Sequence, residues 1–110
     1  MIEEIIIEYM NRTLEAPVYA EMPEEKPEEF VLVEKTGSSR KNYLDFATIV
    51  LQSYAESMHR AAALNEKVKA AMDDIISYEQ ISKSKLNSDY NFTDTETKQY
   101  RYQAVYEICW

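Results

Sequence analysis

A chain of 110 residues is the usual size of one domain, and its 45% hydrophobic content, with nine Tyr, three Phe and one Trp, excludes a disordered or low-complexity chain. Twelve basic against 20 acidic side chains give a formal net charge of -8, which repels a phosphate backbone and excludes tight binding of free nucleic acid, though not a path through which nucleic acid slides without sticking. The single cysteine, Cys109, excludes an intrachain disulfide and a cysteine-based zinc site, so the fold must rest on packing.

The chain opens Met1-Ile2-Glu3-Glu4, acidic where a secretory signal is basic, and no apolar run reaches membrane-spanning length. The expectation is a protein of a reducing cytoplasm with no membrane partner, in which the Asn-x-Thr matches at Asn11 and Asn91 are chance.

Taken in order, Ile2, Ile5, Ile6, Tyr9 and Met10 recur at helical spacing with Glu3, Glu4 and Glu8 between them, an amphipathic helix that must end before Pro17. The run Ile5-Ile6-Ile7 also fits a strand. Residues 17–22 read as a short extended segment, and 23–29, with two prolines and charges that include Glu24, Glu25 and Lys26, as an exposed loop. Phe30-Val31-Leu32-Val33 is a strand by its β-branched and apolar content. Residues 36–42, holding the sole glycine, Gly37, read as a turn. A second strand covers 44–51, with Ala47, Ile49 and Leu51 on one face and Phe46 and Val50 on the other.

Ser53 followed three residues later by Glu56 has the form of a capping box. The stripe Met58, Ala61, Leu64, Val68, Met72 and Ile75 then predicts a helix over 54–76. Residues 78–86 alternate loosely, as a strand with one wet face, and the polar stretch 87–97 reads as a loop. Tyr100, Tyr102, Ala104, Tyr106 and Ile108 alternate with Arg101, Gln103, Val105 and Glu107, which predicts a strand. The order of these elements predicts a single α+β domain over 1–110: a mostly antiparallel sheet with one long helix across a face and a short N-terminal helix.

No constellation for catalysis, cofactor or metal binding is visible. His59 has no partner histidine, and Cys109 sits in a strand without a sign of activation. Asp89-Tyr90-Asn91-Phe92-Thr93-Asp94 begins like a calcium loop, yet lacks its turn glycine and has Tyr100 where the bidentate Glu belongs. The loop Gly37-Ser38-Ser39-Arg40-Lys41 is basic but lacks the spacing of a phosphate-binding motif. Tyr100, Tyr102 and Tyr106 fit either a layer under the long helix or, with Trp110, aromatic anchors of a subunit interface.

Over most of its length the chain resembles the tail terminator, or tail-completion, proteins of long-tailed bacteriophages, as found in prophages of Gram-positive bacteria. The likeness rests on Pro17-Val18-Tyr19 leading to Pro23 and Pro27, on Phe30-Val31-Leu32-Val33-Glu34-Lys35-Thr36-Gly37, on a strand entering the long helix at Ser53-Tyr54-Ala55, and on the stretch from Asn87 to Asp94 that precedes Tyr100-Arg101-Tyr102-Gln103-Ala104. Members commonly carry a second glycine after the position of Gly37, where this chain has Ser38.

The resemblance implies a virion structural protein without enzymatic activity or cofactor. It would form a ring, expected as a hexamer, at the head-proximal end of the tail, where it meets the tail tube and the head-tail connector, and DNA would pass through its lumen without tight binding. Assembly would occur in the bacterial cytoplasm. The candidate contact residues lie in three loops: Glu24, Glu25 and Lys26; Gly37, Ser38, Ser39, Arg40 and Lys41; and Asp89, Tyr90, Asn91, Phe92 and Asp94. A non-enzymatic adaptor or regulatory protein-binding module that uses an exposed sheet edge or the apolar first helix to hold one partner is the alternative.

Overall fold

The computed structural model describes residues 1–110. In chain order it has α1 (Ile2–Thr13), β1 (Val18–Tyr19), β2 (Phe30–Lys41), β3 (Leu44–Ala55), α2 (Met58–Asp74) with a 3-10 turn at Ile75–Ser77, β4 (Lys83–Asn91) and β5 (Tyr100–Cys109). The strands form one sheet in the order β1-β2-β3-β5-β4, in which only the β1–β2 pairing is parallel. The fold is α+β, with α2 across β3 and β5 and α1 packed beside β2. No helix is long and apolar enough to cross a membrane.

Alternation along β3 and β5 decides which face is dry. Ala47, Ile49 and Leu51 pair with Ile108, Tyr106 and Ala104, and all six are buried on the helix side. The amphipathic face of α1 adds Ile2, Ile6, Tyr9 and Met10, and α2 adds Leu64, Val68 and Met72. Each such aliphatic side chain contributes roughly 1.5–3 kcal/mol on leaving water. Two tyrosines tie the helices together and to the sheet: Tyr9 donates its hydroxyl to the Ala71 carbonyl at 3.0 Å, and Tyr106 to the Lys69 carbonyl at 3.2 Å.

Three expectations are corrected. Residues 36–41 are not a turn but the continuation of β2; the turn is the two-residue link Asn42-Tyr43, with φ of 53° and 68°. Gly37 instead follows a bulge, where the register shifts between Lys35 and Gly37, and its φ is not positive. The long helix begins at Met58, capped by Ser57, whose hydroxyl accepts from the Arg60 amide at 3.2 Å. Ser53 is no cap, because β3 continues through it, paired to Val31 and Tyr102. Finally, the 87–97 loop is half strand: Asp89, Tyr90 and Asn91 belong to β4, which pairs with β5 across a register shift between Leu86 and Ser88.

Candidate functional site

Helices cover one face of the sheet, and the other carries a layer of side chains joined to one another. Register places Gln52 beside Gln103 and Gln103 beside Tyr90, with Tyr54 beside Arg101 one row along. The Gln52 amide donates to Gln103 Oε1 at 2.8 Å, the Gln103 amide to the Tyr90 hydroxyl at 2.6 Å, and the Tyr54 hydroxyl to Gln52 Oε1 at 3.0 Å. Arg101 Nη1 completes the chain by donating to the Tyr54 hydroxyl at 2.9 Å. The same alternation that sends apolar residues to one face sends these polar ones to the other.

At one end of this face the aromatic rings touch. Phe30 and Tyr54 stack with centroids 4.7 Å apart, and Tyr19 meets the edge of Phe30 at 6.2 Å. The Arg101 guanidinium lies 4.5 Å from the Phe92 centroid and 5.7 Å from that of Tyr54, and Tyr90 meets Phe92 edge-on at 6.0 Å. A row of rings and one guanidinium therefore crosses the whole sheet.

Beside that row lies a groove of about 780 Å³ whose lining includes Pro27, Phe30, Tyr54, Glu56, Asp94 and Lys98. The groove brings together two of the three loops expected to make contacts, since Lys26 and Asp94 both line it. Glu24 and Glu25 are exposed on the same loop as Lys26. That loop is held to α2 by Arg60, which donates to Glu29 at 2.6 and 2.9 Å and lies 3.8 Å from Glu28 and from Glu56. Hydrogen bonding to Glu29 raises the Arg60 pKa further above its ordinary value. Asp94 organises the other wall: its carboxylate accepts from the amides of Glu96 and Thr97, and hydrogen bonds from Thr97 hold it below the usual carboxylate range.

The third predicted loop lies at the opposite end of the strands. Gly37, Ser38, Ser39, Arg40 and Lys41 form the outer arm of the β2–β3 hairpin, all exposed, with Arg40 donating to Asp45 at 2.9 Å. Asn42 and Tyr43, which form its tip, have no signal of their own beyond Asn, a residue that favours left-handed turns.

The remaining candidates divide between the two faces. Asp89 turns toward the helices, where it accepts from Asn65 and Lys69, both at 2.9 Å, as a structural anchor of α2. The Lys69 pKa is raised, by a hydrogen bond to Glu66 first and by Asp89 second. Tyr90 and Phe92 belong to the uncovered face, and Asn91 accepts from the Thr93 amide and hydroxyl at 3.0 and 2.7 Å. Gln52, Tyr54, Arg101 and Gln103 are functional candidates that a search for loops misses; their alternation opposite a buried row is the signal that finds them.

Two strand edges also stand open. From Val33 to Lys41, β2 has no strand on its outer side, and β4 ends the sheet at the other margin. Lys35, Arg40 and Lys41 on β2, and Lys83 and Lys85 on β4, guard these edges against indiscriminate pairing. No group of three or more His, Cys, Asp or Glu side chains is placed to hold a metal ion. No family model matches the chain, and no curated protein matches it.

Proposed function

We propose that this chain is a structural subunit of a phage virion, one that caps the tail tube, ends its polymerisation and helps join tail to head. The observation that carries the assembly part is the sheet face away from the helices, where Gln52, Arg101, Gln103 and the exposed Tyr90 are cross-linked to one another and to the buried Tyr54 by hydrogen bonds. Side chains fixed in advance lose little freedom on docking, and Tyr and Arg are the residues that anchor interfaces. The phage part rests on the ordered motifs from Pro17 to Ala104 and their likeness to tail terminators. The surplus of acidic side chains suits a ring through which DNA passes, since such a lining does not retain it.

Light scattering on the protein alone, and after mixing with a phage tail-tube protein, tests the reading. A mass several times 12.9 kDa, or tubes capped at one end, supports it. A chain that stays monomeric, leaves tubes growing and binds one unrelated protein at one-to-one ratio is instead the adaptor, a role the open edge of β4 also serves. Genes for tube and tape-measure proteins beside its own gene are the second expectation.

A further inference from the structure

We propose that the tip of the β2–β3 hairpin of one copy docks into the groove at the far end of a second copy, with Tyr43 as the aromatic anchor. The inference rests on the reading that the chain assembles, and adds which two surfaces meet and in what symmetry.

Tyr43 is 98% exposed and holds φ at 68°, in the left-handed region where a two-residue hairpin ordinarily places glycine. A large ring in that position does nothing for the fold, because it buries no area and strains the backbone. Strain kept at an exposed aromatic points to a surface that is covered in use. Next to it, Leu44 is 42% exposed.

The two ends of the sheet complement each other in charge. Residues 35–43 carry three basic side chains, of which Lys35 meets Glu3 and Arg40 meets Asp45 while Lys41 has no acidic partner, whereas residues 21–29 carry five acidic and one basic, with Glu28 and Glu29 held by Arg60 and Glu21, Glu24 and Glu25 outside any ion pair. The groove beside that acidic loop adds Glu56 and Asp94 against Lys98, and its lining includes Pro27 and the edges of two rings, Phe30 and Tyr54, that are stacked on one another and each only 3% exposed. Tip and groove stand at opposite ends of the 12-residue strands β2 and β3, in a molecule 44 Å long. A copy therefore cannot close tip-to-groove on itself. The contact joins unlike surfaces head to tail, the type that closes into a ring when the rotation between copies allows. Opposite charge also steers the encounter and makes it weaken with salt.

The test uses two single-surface variants and their mixture in analytical ultracentrifugation. Tyr43→Gly combined with Lys41→Gln disables the tip, and Glu28→Lys combined with Glu56→Lys disables the groove. Each variant alone is expected to sediment as a monomer where the unaltered chain is oligomeric. Their one-to-one mixture retains one good tip and one good groove, so it should stop at a dimer. Melting temperatures close to that of the unaltered chain establish that folding is intact; for the tip, Tyr43→Gly alone relieves strain and must still lose mass. Variants that keep the oligomer mass, a mixture that grows beyond two, or an unaltered chain that is monomeric at every concentration overturn the inference. An unaltered monomer that still caps tubes leaves the subunit reading standing, and an oligomer that ignores tubes removes the phage role alone.

Discussion

The two faces of the sheet are built from the same five strands and do opposite work. On the covered face Ala47, Ile49, Leu51, Ala104 and Ile108 meet the helices with no polar atom among their side chains, and the few polar groups there, Tyr106, Ser84 and Asp89, are hydrogen-bonded to α2. On the open face Gln52, Tyr54, Arg101 and Gln103 meet one another through hydrogen bonds across strands. Area removed from water holds the first face; the second gains about 1 kcal/mol for each bond, and a fixed shape. Stability and surface design are thus assigned to alternate residues of the same strands.

That division can be broken from either side. Leu51→Ala opens a cavity under the helices and should cost about 3 kcal/mol, read as a lower urea midpoint. Loss of under 1 kcal/mol would remove the covered face as the seat of stability. Tyr54→Phe on the open face deletes the hydroxyl shared by Gln52 and Arg101 while keeping the stack on Phe30, and should cost about 1 kcal/mol, a fall of roughly 5 °C in Tm. An unchanged Tm would mean that the network shapes the face without stabilising it.

Tyr43→Gly acts on neither face and should raise stability by up to about 1 kcal/mol, because glycine adopts the left-handed turn without strain. The smallest effect belongs to Asp94. Its carboxyl is held low in the folded chain, so its contribution is present in full above the ordinary Asp value of ~3.9 and is lost as pH falls through the lower folded value. An NMR titration should place its midpoint below that ordinary value, and Thr97→Ala should move it upward. Alkali acts in the reverse sense through Tyr106. Burial, with Asp73 nearby, raises its pKa, so what Tyr106 contributes is present below the ordinary tyrosine value of ~10 and is lost as pH rises above it.

Much of the covered face was legible because alternation is local. Tyr102, Ala104, Tyr106 and Ile108 announce β5, and Ala47, Ile49 and Leu51 announce the face of β3 opposite them. What misled was punctuation. Gly37 is the sole glycine and draws the turn to itself, yet a Cβ there meets nothing within 4 Å, and the left-handed positions went to Asn42, Tyr43 and Lys98. Ser53-x-x-Glu56 imitates a cap, but pairing with Val31 and Tyr102 keeps Ser53 in the strand and leaves Ser57 to cap. The bulge near Asn87 breaks the alternation of β4, so its polar second half resembles a loop. Of the site, the acidic loop and Asp94 were legible as loops; that they share a groove depends on strand order, which no local pattern encodes.

Cys109 lies in β5 between Phe46 and Lys83, 4% exposed, and it is the chain's sole thiol. A thiol reagent reaches it only when the end of β5 comes away from both neighbours, so the rate of labelling is a clock on that opening. No probe need be engineered. Run with the protein free and then assembled, the clock reports whether neighbours stiffen this end of the sheet, and by what factor the open state becomes rarer.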